Sequence, residues 1–169
     1  GDIDPGLMSF LARTENVTAE QFEDVINHRC GLLGVSETTG DMRELLSHEA
    51  IDVRAAEAIA LFCYQVKKYI GAYTAALGGL DTLVFSGGIG ENSADVRERV
   101  CRELEVLGIE LDSQRNRQAA PLISTDAGRV AVRVIRTNEA LMVARATYRL
   151  LAEPSAVHEG ASDEPGAFR

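Results

Sequence analysis

The sequence predicts an α/β fold that is rich in helices and has a small sheet. Of its 169 residues, 46% are hydrophobic and 25% are charged, which is ordinary for a globular domain with its own core. Only 5% are aromatic and Trp is absent, so the core must consist mainly of Ala, Leu, Ile and Val side chains. That composition favours helices packed on a sheet over an aromatic-rich all-β domain.

The N-terminal region carries signals for several helix starts. An Asp-Pro-Gly turn at 4–6 places Pro near the first position of a helix. Thr18 and Gln21 have the spacing of a capping box, which predicts a second helix. The segment 31–36 is bracketed by glycines and is predicted to be a loop. Asp41 then marks a further helix start, because Asp is a favoured N-cap residue.

The longest element is a helix predicted from about Asp52 to Leu77. Its apolar residues recur at alternating steps of three and four, which places them on one face. They are Ala56, Ile59, Cys63, Val66, Ile70, Tyr73 and Leu77. Gly78 and Gly79 end the helix. A helix of this kind is usually core scaffold, and the apolar stripe lacks the dense Lys and Arg border of a helix that binds a membrane surface.

A strand, a glycine-rich turn and a helix are predicted to follow one another directly. The apolar run 82–85 predicts a buried strand. It leads into Ser-Gly-Gly-Ile-Gly-Glu-Asn-Ser at 86–93. The helix after this turn ends at Gly108, and its inward residues are Val96, Val100, Leu104 and Leu107.

The region after this helix is predicted to contain two further strands and one helix. Ile109 and Leu111 indicate a minor strand, and the alternation of valines through 130–135 predicts a full one. The last helix begins at 137–139. Its residues available for packing are Leu141, Ala144 and Tyr148.

Composition separates the last residues from the rest. Glu, Pro, Ser, Gly and Asp dominate from Ala152 onward, and apolar side chains become sparse. Such a segment cannot bury enough apolar surface to fold. We therefore expect one domain over 1–151 and a disordered acidic tail over 152–169.

The glycine-rich turn at 86–93 is the strongest candidate for chemistry. Its glycines let the backbone approach a ligand closely, and the following helix start offers unpaired N–H groups and a positive dipole end. These features suit a phosphate or a ribose. The turn is neither a Walker A loop nor a dinucleotide fingerprint. A tight strand-to-helix turn with Asn92 as the cap is the structural alternative, and spacing by itself leaves both open.

Two other positions carry side chains that could serve a ligand. Arg43, in Asp41-Met42-Arg43, could stack its guanidinium on an adenine face. Glu139 could hold Mg²⁺ through water. Each has a structural alternative that is stronger on local grounds: Asp41 and Glu44 cap a helix, and Glu139 complements a helix dipole.

Charge and cysteine content exclude several classes of function. The net charge of −9 argues against nucleic acid as the main partner, because phosphate backbones need clustered Lys and Arg. The three cysteines form no Cys-x-x-Cys pair, so we expect reduced thiols and a cytoplasmic protein. No apolar run reaches the roughly 20 residues of a spanning helix, and no membrane partner is expected. The absence of an initial Met indicates a processed product or a segment of a longer protein.

Several short blocks occur in a specific order along the chain. They are Gly1-Asp2-Ile3-Asp4-Pro5-Gly6, Gly31-Leu32-Leu33-Gly34-Val35-Ser36, Asp41-Met42-Arg43, Lys68-Tyr69-Ile70-Gly71-Ala72-Tyr73, the glycine-rich run from Ser86, Leu107-Gly108-Ile109 and Thr137-Asn138-Glu139. This series covers nearly all of 1–151 and resembles the acetate kinase family. Butyrate and propionate kinases share the architecture and are close competitors.

The resemblance implies an actin-like (ribonuclease H-like) ATPase fold, with this chain forming part of the C-terminal domain and the first strands of that domain lying upstream. It implies reversible phosphoryl transfer from ATP to acetate, with Mg²⁺ or Mn²⁺, in a cytoplasmic homodimer joined through this domain. The residues that match the adenosine-binding loop are Gly88, Ile89, Gly90, Glu91 and Asn92. Asp41, Met42 and Arg43 match the segment that contacts adenine. Glu139 matches the Mg²⁺-associated glutamate, and Ala140 stands where the family commonly has a second one.

The resemblance also indicates what this segment lacks. The family's catalytic aspartate, phosphate-contacting histidines and acetate-site arginines belong to the region before Gly1, so no catalytic residue is identified in 1–169. We expect the segment alone to be inactive and poorly soluble. The alternative is a non-catalytic module that binds adenine nucleotide or only dimerises. The choice between acetate and propionate or butyrate stays open, because the acyl pocket lies mostly outside these residues.

Overall fold

Helices account for most of the chain, and the sheet is small. The computed structural model describes residues 3–152, without the side chains of Glu139 and Leu150. Its helices are α1 (Leu7–Thr14), α2 (Ala19–Asp24), α3 (Leu32–Ser36), α4 (Met42–His48), α5 (Val53–Leu77), α6 (Gly87–Asn92), α7 (Ala94–Cys101), α8 (Ser113–Arg117) and α9 (Glu139–Ala152). A π-helical turn spans Val25–Arg29, a 3-10 turn spans Glu105–Leu107, and the strands are β1 (Thr82–Phe85) and β2 (Ala131–Val134). The expected helix-rich α/β class is confirmed.

The described chain divides into two compact units at the junction of residues 135 and 136. The first unit holds α1 to α8 and both strands, and the second holds α9. The predicted tail over 152–169 lies outside the described residues, except for Ala152 at the end of α9. Among the described helices, none is both long and apolar enough to cross a bilayer.

α5 is the central scaffold of the first unit and contacts α3, α4 and α7. Its predicted ends are confirmed: the Asp52 side chain accepts a hydrogen bond from the Arg54 N–H, and Gly78 ends the helix in the left-handed conformation. The predicted apolar face is buried at Ile59 and Cys63. Tyr73 and Leu77, at the end of the same face, are exposed.

The sheet consists of β1 and β2 in parallel, with Thr82 opposite Ala131 and Phe85 opposite Val134. The strands predicted at 82–85 and 130–135 are therefore confirmed. The segment with α6, α7 and α8 supplies the crossover that parallel pairing needs. The outer edge of β1 pairs with no other strand in the part of the chain that the structure describes.

One predicted loop and one predicted strand differ from the structure. The segment 31–36 contains the short helix α3, because the Gly31 backbone turns with a positive φ and Leu32 and Val35 then pack against the core. The predicted minor strand at 109–111 is only an isolated antiparallel bridge between Leu111 and Ser124. Short apolar runs fit either conformation, and tertiary packing decides between them.

The helix after the glycine-rich turn is shorter than predicted. It ends at Cys101, and the chain continues through the 3-10 turn to Gly108, which has a positive φ. The inward positions are nevertheless correct for Val96, Val100 and Leu104, which are buried. The apolar spacing thus predicted the packing face but not the break in the helix.

Candidate functional site

A cleft of about 1100 Å³ opens between the start of α4 and the helix α6. The wall from α4 and the residue before its cap consists of Gly40, Asp41, Met42, Arg43 and Leu46. The opposite wall consists of Gly88, Ile89, Asn92 and Ser93. The structure therefore brings together two motifs that are far apart in sequence and that we identified separately. A cleft of this volume is large enough for a ligand the size of a nucleoside.

The α4 wall begins with a tightly paired Asp41 and Arg43. The Asp41 carboxylate accepts from the Arg43 backbone N–H at 2.8 Å, which confirms Asp41 as the N-cap. It also accepts from Arg43 Nε at 3.1 Å and from Arg43 Nη2 at 2.6 Å. Hydrogen bonds from Arg43 lower the pKa of Asp41 to about 2, so the carboxylate stays ionised at neutral pH. The Arg43 side chain is 88% exposed, which leaves its guanidinium open to a ligand.

Met42 fixes this wall to the core of the first unit. Its side chain is 4% exposed and belongs to the buried cluster that also contains Leu45 and Ile59. Leu46 lines the cleft and is partly buried against the same cluster. The wall therefore offers an apolar base beside an exposed cation, which suits a planar, weakly polar ring.

The opposite wall is the glycine-rich segment, which forms the short helix α6 instead of an open turn. Its own side chains hold its backbone: Gly87 N–H donates to Glu91 Oε1 at 2.8 Å, and Asn92 Nδ2 donates to the Gly88 carbonyl at 2.8 Å. The alternative in which Asn92 caps the following helix is wrong. Ser93 caps it, and its Oγ accepts from the Val96 N–H.

The glycines of α6 serve different purposes. Gly87 has a φ of +73°, a conformation that other residues rarely adopt. A Cβ at Gly90 would lie 3.3 Å from the carbonyl carbon of Phe85, so this glycine permits close packing on β1. A Cβ at Gly88 would meet no atom within 4 Å, and Gly88 lines the cleft. Gly88 is thus the position where the absence of a side chain leaves room for a ligand.

The predicted nucleotide-binding residues divide into two groups. Six line the cleft: Asp41, Met42, Arg43, Gly88, Ile89 and Asn92. Gly90 and Glu91 are not among the residues that line it, and they shape α6 from behind. Their contact with a ligand therefore remains a prediction.

An ion pair connects α7 to the residue that follows α4. Arg99 of α7 donates to both carboxylate oxygens of Glu49, at 2.6 Å and 2.8 Å, and also pairs with Asp95. Glu49 is the residue after α4. The hydrogen bond from Arg99 lowers the pKa of Glu49. This bidentate contact joins α7 to the C-terminal end of α4.

Glu139 is the first residue of α9, in the second unit. Asn138 precedes it, and its Oδ1 accepts from the Leu141 N–H at 2.9 Å, as in a capped helix. The described residues contain no group of three or more His, Cys, Asp or Glu side chains that could hold a metal ion. One carboxylate fits Mg²⁺ that is held mainly by water and phosphate oxygens, which is how Mg²⁺ commonly binds in kinases.

Sequence reasoning missed two arginines of α7 that support the site. Arg97 lies between the buried residues Val96 and Val100 on the apolar face of the helix. A charged residue on such a face was the signal that could have revealed it. Nothing in the local sequence could have indicated that Arg99 pairs with Glu49, because that contact depends on the tertiary fold.

Comparisons with known proteins indicate the family to which the chain belongs. The model of the acetokinase family matches residues 1–145. Acetate kinase 1 of Latilactobacillus sakei subsp. sakei (strain 23K) is 42% identical, over 89% of this chain and 39% of that protein. A propionate kinase of Citrobacter rodentium (strain ICC168) is 44% identical, over 89% of this chain and 38% of that protein.

The comparison with solved structures indicates the same family. The crystal structure of Porphyromonas gingivalis acetate kinase matches with a TM-score of 0.80 and 41% identity, over 89% of this chain and 39% of that chain. The chain thus spans about two fifths of the length of the proteins it matches, and its fold is that of actin-like ATPases. The chain belongs to the acetokinase family.

Proposed function

We propose that this chain supplies the adenosine-binding part of a kinase that transfers a phosphoryl group between ATP and acetate. The observation that supports this most is the cleft, in which 40–46 and 88–93 face each other. Each of these segments resembles a nucleotide-contacting segment of the acetate kinase family. Their convergence in one cleft is what a shared ligand requires.

In this proposal each wall has its own part in binding. The Arg43 guanidinium covers one face of adenine while Asp41 orients it through two hydrogen bonds. Gly88 leaves space for close approach, and Ile89 supplies apolar contact. Gly90 and Glu91 contribute indirectly, because they stabilise the conformation of α6 and its packing on β1.

The transfer itself needs groups that this chain does not supply. An oxygen of the acetate carboxylate attacks the γ-phosphorus of ATP, and the bond to the ADP oxygen breaks, which gives acetyl phosphate and ADP. Such catalysis depends on in-line positioning and on neutralising the charge of the transferring group. Glu139 would hold a Mg²⁺ ion through water, and that ion would supply part of the neutralisation. This chain holds and orients the nucleotide, and the acetate site belongs to the remainder of the kinase.

Propionate is a second candidate for the acyl acceptor. The identity to a propionate kinase equals or exceeds that to several acetate kinases, so the described residues do not separate the two acceptors. Propionate is therefore the alternative substrate. Family resemblance also supports a cytoplasmic homodimer joined through this domain.

Replacing Gly88 with Ala tests the cleft directly. We expect the ATP affinity of the complete kinase to fall about tenfold or more, because the added methyl group occupies space that the ligand needs. The fold should survive, since a Cβ at this position meets no atom within 4 Å and Ala favours a helix. Equilibrium titration with a fluorescent ADP analogue measures the affinity, and thermal unfolding measures the stability.

Gly71→Ala is the matched control for this test. Gly71 lies within α5, and a Cβ there also meets no atom within 4 Å. It should preserve or slightly raise stability and leave ADP affinity unchanged. Equal ADP affinities for the Gly88 and Gly71 variants would contradict the proposal and leave α6 as a structural turn.

Replacing Arg43 with Ala tests the assignment of the adenine face. We expect the KM for ATP to rise several-fold with little change in kcat, because the lost contact is equally strong in the ground state and the transition state. Arg54→Ala is a suitable control, since Arg54 is also an exposed arginine paired with a carboxylate but does not line the cleft. An unaltered KM in the Arg43 variant would mean that Arg43 only completes the helix start.

A further inference from the structure

Arg97 is a fully buried arginine whose hydrogen-bond acceptors are all uncharged. Its side chain is 1% exposed. Nε donates to Asn116 Oδ1 at 2.8 Å, and Nη2 donates to the Asn116 carbonyl at 2.6 Å. Nη1 donates to the carbonyls of Gly90 and Glu91 at 2.8 Å and 3.0 Å. Burial lowers the pKa of Arg97, so keeping the charge here has a cost that a purely apolar side chain would avoid.

The two carbonyls that Arg97 contacts are at the C-terminal end of α6. The last carbonyls of any helix have no partner inside the helix. In α6 the Ile89 carbonyl accepts from the Ser93 N–H, and those of Gly90 and Glu91 accept from Arg97. A single guanidinium therefore donates to two of the last carbonyls of the helix that forms one wall of the cleft.

Asn116 holds the guanidinium from the other side. It is 1% exposed and lies in α8, whose start is capped by the Asp112 side chain. Its Nδ2 donates to the Ala94 carbonyl at 2.9 Å, at the start of α7. Arg97 is thus held between a rigid side chain and α6, and it has little freedom to move.

We propose that Arg97 is a positioning residue for nucleotide binding: by holding the Gly90 and Glu91 carbonyls, it orients α6 so that Gly88 and Ile89 face the nucleotide. Arg97 does not touch the nucleotide, since it lies behind α6 and is not among the residues that line the cleft. This inference rests on the proposed function of the cleft. It adds a residue that does not contact the ligand and that affects the affinity for ATP but not the affinity for the acyl acceptor.

The test uses Arg97→Met and Arg97→Lys in the complete kinase. Met keeps the apolar stem and removes all four hydrogen bonds, so we expect the KM for ATP to rise about tenfold or more. The KM for acetate should stay within about twofold, because α6 faces only the nucleotide. Lys carries a single ammonium group and cannot satisfy both carbonyls in the same geometry, so its KM for ATP should be intermediate.

Val100→Ala is the control for lost stability alone. Val100 is buried on the same helix, and its apolar side chain cannot form hydrogen bonds. It should lower the unfolding midpoint while leaving the KM for ATP unchanged. A rise in KM for ATP that is specific to the Arg97 variants, with partial recovery in Lys, supports the positioning role.

The outcomes separate this inference from the proposed function. If Gly88→Ala weakens ATP binding but both Arg97 variants keep the wild-type KM for ATP, the positioning role is overturned and the cleft stands. If Gly88→Ala has no effect either, the proposed function fails and this inference fails with it. If Arg97→Met does not fold, Arg97→Lys decides, and an unchanged KM for ATP in that variant overturns the role.

Discussion

The 169-residue chain assayed alone is expected to form no measurable acetyl phosphate from ATP, Mg²⁺ and acetate. Phosphoryl transfer needs the acceptor carboxylate and the γ-phosphate held in line, with cations around the developing charge. The roles that we propose for residues of this chain concern adenosine and the metal, and we propose none for acetate. The chain also spans only 39% of an acetate kinase that it matches.

The sheet gives a second reason for this expectation. β1 and β2 form a two-stranded unit, which is marginally stable without further strands. The outer edge of β1 presents unpaired backbone groups within the described residues, and Val84 of that strand is 45% exposed. Such an edge promotes aggregation or non-native pairing. We therefore expect the isolated chain to be poorly soluble and to bind ATP weakly at best.

The measurement is an acetyl-phosphate assay at saturating ATP, Mg²⁺ and acetate, with the complete kinase as the positive control. Turnover by the chain alone within about tenfold of the usual enzyme range of 1–10³ per second would contradict the expectation. That result would mean that an acyl site lies within these residues and that we have misplaced it.

The second large effect is expected for Glu139→Ala in the complete kinase. Turnover should fall roughly a hundredfold and the Mg²⁺ requirement should rise, because losing one charge-stabilising group commonly adds about 3 kcal/mol to the barrier. The fold should survive, since the capping contact at the start of α9 is made by Asn138. Steady-state kinetics over a Mg²⁺ titration measures both effects.

Glu20→Ala is the matched control, because Glu20 is also a first-turn glutamate, at the start of α2. Removing it should change stability by less than about 1 kcal/mol and leave turnover unaffected. If Glu139→Ala keeps normal turnover and the same Mg²⁺ dependence, Glu139 only complements the helix dipole, like Glu20.

Local signals predicted several helix starts well because the interactions at those starts are local. The Thr18 and Gln21 capping box and the Asp41 cap are present as predicted, and Asp52, the predicted start of α5, also caps its helix. Each of these contacts connects residues within three positions of one another. Predictions failed where packing decides the conformation. The segment 31–36 became a helix because its apolar residues pack against the core, which glycine spacing does not reveal.

The candidate site was predictable as two motifs but not as a cleft. The glycine-rich run and the Asp41-Met42-Arg43 segment each have sequence signals, whereas their approach depends on α5, to which α4 and α7 both pack. The different roles of Gly88 and Gly90 also follow only from the fold, because their local sequences are alike. Arg97 and Asn116 are nineteen positions apart, so their contact could not have been predicted from the residues next to either of them.

Hydrogen exchange of the complete kinase with and without ADP tests the central claim most directly. We predict that ADP slows exchange in two separate stretches, 40–46 and 88–93, and that the protection is lost in the Gly88→Ala variant. Exchange along α5 should change little, because that helix lies outside the cleft. Protection confined to other regions, or ADP binding with no change in either stretch, would contradict the claim that these residues form the adenosine site.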